Sequence, residues 1–232
     1  MKLVTWNCAM ALHKKHEKLL QFGADIMVIQ ECSRKFIKQI DRTEGWSSAW
    51  FGKNPNKGLG VIVKAPWIIQ EARALKPKWI AKLIIDGPVP LELFPVWACT
   101  SNRRAESYIG QVHLLLDILE RANPNHSTII AGDFNSNSIW DGGRRINNHS
   151  AAVGRLRKLG MVSAYHAFFK QIQGAEKHPT FWFTKNKKKV YHLDYAFLSE
   201  RLSAKLKRVE VGHHRDWLSF SDHAPILVEL DM

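Results

Sequence analysis

The sequence predicts an α/β or α+β sandwich in which two mixed β-sheets stack on one another and carry helices on their outer faces. Three observations lead there. Short runs rich in Val, Ile, Leu and aromatics recur through both halves of the chain, and helical stripes are interspersed among them. A hydrophobic content of 45% with nine Trp in 232 residues fills a sizeable core. No internal repeat or low-complexity linker divides the chain, so residues 1–232 read as a single domain.

In chain order, "KLVTW" is a short apolar strand. "HKKHEKLLQF" follows as a helix with Leu19, Leu20 and Phe22 on one side, stopped by Gly23. "ADIMVIQE" is a buried strand, giving strand, helix, strand. "GLGVIVK", "KWIAKLIID" and "LELFPVWACT", with turn signals at "KAP" and "DGPVP", predict three more strands without helices between them. "YIGQVHLLLDILERA" carries a helical stripe at Ile109, Val112, Leu115, Leu116 and Leu119 and leads into the strand of "HSTIIAGDFN". A second helix starts at Asn148 or Ser150 and covers "AAVGRLRKL". The last third supplies strands at "PTFWFT", "YHLDYAFLS", "KRVEVG" and "APILVEL", the first two separated by the basic turn "KNKKK".

Lys and Arg outnumber Asp and Glu by 34 to 21, a formal charge of +13 with a pI near 9.8. Such a field selects a polyanion, nucleic acid first and anionic lipid headgroups second. Cys8, Cys32 and Cys99 are odd in number and form no CxxC pair, so they read as reduced core residues. "MKLVTWNCAM" lacks the apolar run of a signal sequence, and no stretch approaches the roughly 18 apolar residues of a membrane span. The expectation is a cytoplasmic monomer with no membrane contact and no stable protein partner.

Polar residues end the strands. Asn7 follows "VTW", Glu31 follows "IMVIQ", Asp133 and Asn135 follow "TIIAG", Asp194 interrupts "YHLDYAFL", and Asp222 with His223 precede "APILVEL". Singly, each reads as a cap or a turn residue. Together they mark the place where strands end and loops converge, which is where sheet-based enzymes build sites. If Glu31 and Asp222 meet, their like charges require a cation between them, and carboxylate oxygens suit Mg²⁺.

"TWN", "QE", "GDFN", "LDYAFLS" and "SDH" stand in the order of the endonuclease/exonuclease/phosphatase family, and the chain resembles that family from position 5 to 223. The family includes abasic-site endonucleases, DNase I-like nucleases, inositol polyphosphate phosphatases and neutral sphingomyelinases. The resemblance implies a four-layer α/β sandwich and Mg²⁺- or Mn²⁺-dependent phosphoester cleavage by in-line attack of water. It assigns the metal to Glu31 and Asp222, with Asn7 beside them. Asp133 would orient or deprotonate the water, Asn135 would hold a phosphate oxygen, and His223, kept cationic by Asp194, would contact the scissile phosphate. The proton acceptor stays open between Asp133 and His223.

The chain departs from the family pattern in three places. Ala9 stands where abasic-site enzymes often carry Asp, "VWACTSNRR" lacks the Tyr or His expected there, and His192 replaces an Arg before "LDY". Tyr108 and His149 are candidates for the missing phosphate contact, although His149 also reads as a helix start. "HPTFWF" resembles the segment whose aromatics line the flipped-sugar pocket of abasic-site endonucleases. That resemblance makes Phe181 and Tyr191 groove candidates, with at least one aromatic of Phe181, Trp182 and Phe183 packed in the core. Lys185 to Lys189, with Lys187 at its centre, is a candidate phosphate-tracking loop, as are Arg103, Arg104, Arg144 and Arg145. Arg155, Arg157 and Lys158 read as a solvated helix face. The expected function is divalent-metal-dependent phosphodiester cleavage of DNA, internal or terminal, with abasic sites as one target. The alternatives are a phosphatase or sphingomyelinase-like phosphodiesterase, and a non-catalytic nucleic-acid-binding module.

Overall fold

In the computed structural model, which describes residues 1–76, 79–122, 127–142 and 147–232, the apolar runs form two six-stranded mixed sheets. The first has the spatial order β13 (Leu206–Val211), β14 (Ile226–Leu230), β1 (Lys2–Asn7), β2 (Ile26–Cys32), β4 (Lys57–Lys64), β3 (Trp46–Asn54). The second runs β5 (Ile68–Ala74), β6 (Ala81–Asp86), β7 (Leu91–Trp97), β8 (Thr128–Asp133), β12 (Asp194–Ser199), β9 (Met161–Ser163). A short ribbon pairs β10 (Phe181–Trp182) with β11 (Val190–Tyr191).

Side chains alternate across a strand, so a run that is apolar on both faces feeds two cores. Leu3, Ile26, Val28, Val61, Leu83, Leu93, Ile129 and Ala196 fill the space between the sheets. Their neighbours Val4, Met27, Ile29 and Ile62 point the other way, onto α1 (His16–Leu20), α2 (Arg34–Ile40) and α7 (His214–Trp217). Phe94, Val96, Ile130, Tyr195 and Phe197 likewise cover the opposite outer face. There they meet α3 (Ile109–Ala122) and α4 (His149–Lys158). The result is the four-layer sandwich. Two further short helices, α5 (Ala164–Phe169) and α6 (Glu200–Ser203), send Ala164 and Leu202 into the inter-sheet core.

Several element expectations change. The first helix shrinks to five residues after a 3₁₀ turn at Leu12–Lys14, because "HKKHEK" offers almost nothing apolar to bury. "PTFWFT" yields only the two residues of β10, and positive φ at Thr184 and Lys185 ends the strand direction. "YHLDYAFLS" divides into β11 and β12. Asn148 caps α4 by accepting the Ala151 amide at 2.8 Å, so the helix begins at His149. Arg155 does not belong to a solvated face. Its guanidinium donates to Asp117 Oδ1 at 2.6 Å and Glu120 Oε1 at 2.8 Å, tying α4 to α3. All three cysteines are free thiols, with Cys8 and Cys32 buried and Cys99 half-buried.

Gly132, the residue before Asp133, has φ of 149° and lies against β7, where an added Cβ would stand 1.9 Å from the Val96 carbonyl oxygen. The glycine is therefore required by a close approach inside the sheet rather than by a turn beyond it. Gly132→Ala should lower stability by about 3 kcal/mol or more, since the obstructing atom is backbone. Gly154, inside α4, has nothing within 4 Å of the point an added Cβ would occupy, and its change to Ala should instead gain ~0.5–1 kcal/mol. Urea midpoints of the two variants check both signs.

Candidate active site

Strand direction brings the polar strand ends to one edge. β1 and β2 are parallel, so Asn7 and Glu31 emerge side by side. β14 runs antiparallel to β1, so Asp222 and His223, which precede it, enter at that edge. In the second sheet β8 ends on Asp133 and its antiparallel partner β12 begins on Asp194, the two being register partners. The sheets meet through the Asn7 amide, which donates to Asp133 Oδ2 at 3.0 Å and lies 3.4 Å from Glu31 Oε1. Glu31 adopts φ of 60° where the β2 register with β4 shifts, and this turns its side chain toward the site.

Asp133 is fully buried and heavily bonded. Its Oδ1 accepts the Asn135 backbone N–H at 2.8 Å, and its Oδ2 accepts the Asn7 and Asn135 amides at 3.0 and 2.9 Å. Burial raises its pKa to about 7, against the lowering influence of the His223 cation and of these hydrogen bonds. Asn135 lies beside Asp133. Its Nδ2 donates to Asp133 and, at 2.8 Å, to the Ala98 carbonyl, so one amide hydrogen holds the carboxylate and the other ties the loop to the end of β7.

His223 donates from Nδ1 to Asp194 Oδ2 at 2.9 Å, and its Nε2 faces Asp133 Oδ2 at 4.0 Å. Burial alone would lower the imidazole pKa, but the Asp194 and Asp133 carboxylates outweigh it and raise it to about 9. The ring is thus an imidazolium whose Nε2–H is directed into the site. Two hydroxyls that sequence reasoning missed position this pair. Thr180 Oγ1 accepts the Leu193 and Asp194 amides at 2.9 and 3.1 Å. Ser221 Oγ donates to the Asn7 carbonyl at 2.8 Å and accepts the His223 amide at 3.0 Å. Neither stands out in the sequence, because a buried Ser or Thr carries no pattern of its own.

The donor set decides where a divalent ion fits. Asp133, Asp194 and His223 bring one ligand atom each within 4.8 Å of the others, but a cation there would break the His223–Asp194 bond and face an imidazolium. Glu31 and Asp222 are the better oxygen donors. Among the described residues the Asp222 carboxylate accepts only a long 3.4 Å contact from Ser221 Oγ, and Glu31 Oε2 is shared with the Lys57 ammonium at 3.1 Å. Both carboxylates also act on Lys15, whose pKa burial lowers while Asp222 and Glu31 oppose the change. Lys15 Nζ donates to the Cys8 carbonyl at 2.6 Å and to that of Phe220, pinning the loop in which Ala9, Met10 and Ala11 all have positive φ. Lys57 could have been found by pairing "NKGLG" with the strand that ends in "QE". Lys15 lies in a basic run that reads as solvated.

Beside Asn135 opens a cleft of about 650 Å³ lined by Tyr108, Trp140, Phe181, Phe183, Lys189 and Tyr191 among others. Phe181 and Tyr191 therefore stand where a groove role needs them, Phe181 with its ring 4.6 Å from His223, while Trp182 is the buried core member of its segment. Lys189, not Lys187, is the cleft lysine of the basic turn. Lys187 is exposed and acts on His214 instead. Arg103 is exposed, pairs with Glu106 at 3.1 Å and does not line the cleft. Arg144 and Arg145 lie outside the described residues. Of the two candidates for the missing phosphate contact, Tyr108 reaches the cleft, whereas His149 is buried and bonded to Gln173 at 3.1 Å.

No curated protein sequence matches the chain. Among solved structures, an AP endonuclease from Archaeoglobus fulgidus is similar at a TM-score of 0.76 and 16% identity, covering 100% of both chains. The 3'-5' exonuclease NExo from Neisseria meningitidis is similar at 0.73 and 18%, again over 100% of both. D. rerio TDP2 in complex with a single-strand DNA product is similar at 0.68 and 14%, over 100% of this chain and 99% of that one. At these identities the likeness speaks for the fold. The model of the Endonuclease/Exonuclease/phosphatase family matches residues 4–223, nearly the whole chain and every strand end that carries the site, and the chain belongs to that family.

Proposed function

We propose that the chain is a divalent-metal-dependent phosphodiesterase that hydrolyses DNA. The observation that carries this reading is the arrangement of a buried carboxylate of raised basicity, Asp133, facing an imidazolium, His223, across 4.0 Å. A water seated against Asp133 gives up its proton to that carboxylate as its oxygen bonds to phosphorus, while the P–O bond to the leaving sugar oxygen breaks and that oxygen takes a proton from solvent. The His223 Nε2–H meets the charge that grows on the phosphate oxygens. Asp194 keeps that imidazole protonated and aimed, and Asn7 and Asn135 hold the Asp133 carboxylate. Glu31 and Asp222 would hold the metal ion, which when bound supplies further positive charge to the phosphate. DNA is favoured by the net charge of +13 and by two similar proteins, a Neisseria 3' phosphatase bound to a product DNA hairpin and TDP2 bound to single-strand DNA.

A panel of plasmid, duplex oligonucleotide and sphingomyelin, each with Mg²⁺, with Mn²⁺ and with excess chelator, tests the reading. DNA should be cut and sphingomyelin spared, and chelator should abolish cleavage. Undiminished cleavage in chelator, or lipid turnover in place of DNA turnover, would refute it.

Asp133→Asn should reduce kcat by roughly 10²-fold or more with little change in DNA affinity, because a positioned proton acceptor acts in the transition state. A variant that lost affinity alone would remove Asp133 from the chemistry.

The pH profile follows from the same pair. Asp133 must be ionised and His223 protonated, so kcat should rise as pH passes about 7 and fall beyond about 9. Asp194→Asn removes a carboxylate that raises the His223 pKa, so the alkaline limb should move to lower pH. An unmoved limb would show that Asp194 does not set the imidazole's charge.

A further inference from the structure

The cleft beside the catalytic pair holds more exposed aromatic surface than core packing explains. Trp140 and Phe183 are each 49% exposed and Tyr108 is 43% exposed, and all three line the one cavity. They come from three separate segments: Tyr108 from the turn before α3, Trp140 from a 3₁₀ turn after β8, and Phe183 from the turn after β10. Trp140 rests on Tyr191 at 4.9 Å between ring centroids, Tyr191 on Phe181 at 6.4 Å, and Phe181 on His223 at 4.6 Å. A chain of ring contacts thus leads from the phosphate-facing imidazole to an open indole. Among the described residues Tyr108 makes no ring contact.

Three polar neighbours of these rings are occupied by the local structure. Asn137 donates to Glu176 and the His192 carbonyl and accepts the Ile139 amide. Asp141 accepts the His149 and Ser150 amides, and Asn148 caps α4. Rings supply most of the large side chains that line the cleft, with the Lys189 ammonium, Ser136 and Asn147 as further polar lining. A cavity of about 650 Å³ falls in the range that encloses a ligand of several rings. A bare deoxyribose has no π face to cover an indole.

On the reading of the chain as a DNA phosphodiesterase, we propose that the cleft takes the unstacked nucleobase of the nucleotide joined to the scissile phosphate. Trp140 is the stacking platform and Tyr108 the flanking ring. The preferred substrate is then a base-bearing nucleotide free to leave the stack, at a strand end or a mismatch, rather than an abasic sugar. Base identity matters little, because faces rather than hydrogen-bonding edges are read.

The test compares kcat/KM on two duplexes that differ only in one nucleotide, a mismatched adenine or a tetrahydrofuran abasic analogue, for wild type, Trp140→Ala and Trp140→Phe. Wild type should favour the adenine duplex. Trp140→Ala should lose roughly 5- to 150-fold on that duplex, the worth of one base–aromatic stack, and change less than about twofold on the abasic one. Trp140→Phe should recover most of the loss. Equal losses on both duplexes, or a wild-type preference for the abasic one, would overturn the proposal. A second readout does not depend on cleavage: the emission of 2-aminopurine at the same position, which rises as the base leaves the stack and is quenched again on an indole, so that bound Asp133→Asn protein should be dimmer than bound Asp133→Asn/Trp140→Ala protein. Quenching that disappears with Trp140→Ala supports the slot even if neither duplex is cut, an outcome that would reject only the nuclease reading. Equal emission from the two bound complexes overturns the slot.

Discussion

The Asn7 amide touches both halves of the site. It comes from the first sheet, donates to Asp133 of the second and reaches Glu31 of its own. Two packed sheets have a slippery apolar interface, and area burial alone does not fix how one slides over the other. A directional bond to a buried carboxylate does, because misplacing it leaves a charge unsatisfied in a dry site. Gln30 adds a second such tie nearby, with its Nε2 on Thr5 Oγ1 and the Val96 carbonyl at 3.1 and 3.2 Å. The geometry between Asp133 and the Glu31 and Asp222 carboxylates is set by these cross-sheet bonds.

Charge balance follows from that placement. Asp133 and Asp194 sit opposite each other in neighbouring strands, both fully buried, and two bare carboxylates so close would repel. The imidazolium of His223 stands between them and is bonded to one of them. It therefore stabilises the pair in the resting fold and remains the cation available to a phosphate. The same logic recurs at Glu31 and Asp222, where the Lys57 and Lys15 ammonium groups stand. Ala9 adds no acid to the loop after Asn7, so these two carboxylates have two lysines for neighbours.

The sheets and the polar strand ends were legible because both are written in period two: apolar runs marked β1, β2, β4, β8 and β14, and the residue at which each run turns polar marked the site. The edges were not legible. β5, "IIQEARA", is mostly exposed and carries no burial pattern, and β3 is half-exposed along most of its length. Residue types could name Asn135 as a site member but not say that its amide would be consumed by Asp133 and Ala98. Lys189 and Lys187 are equivalent as letters, and only the path of the turn separates them. Trp140 was invisible for a different reason. It follows "GDFNSNSI" in a loop with no periodicity, and its meaning appears only once β11 brings Tyr191 beneath it.

The order in which strands enter the first sheet also governs when the molecule becomes competent. β1 is near the start of the sequence, yet its neighbour β14 is the last strand, and His223 is placed only when that strand inserts between β13 and β1. Such sequence-distant pairings close late in folding. Closing the first sheet and placing His223 are therefore one event, since the same strand does both.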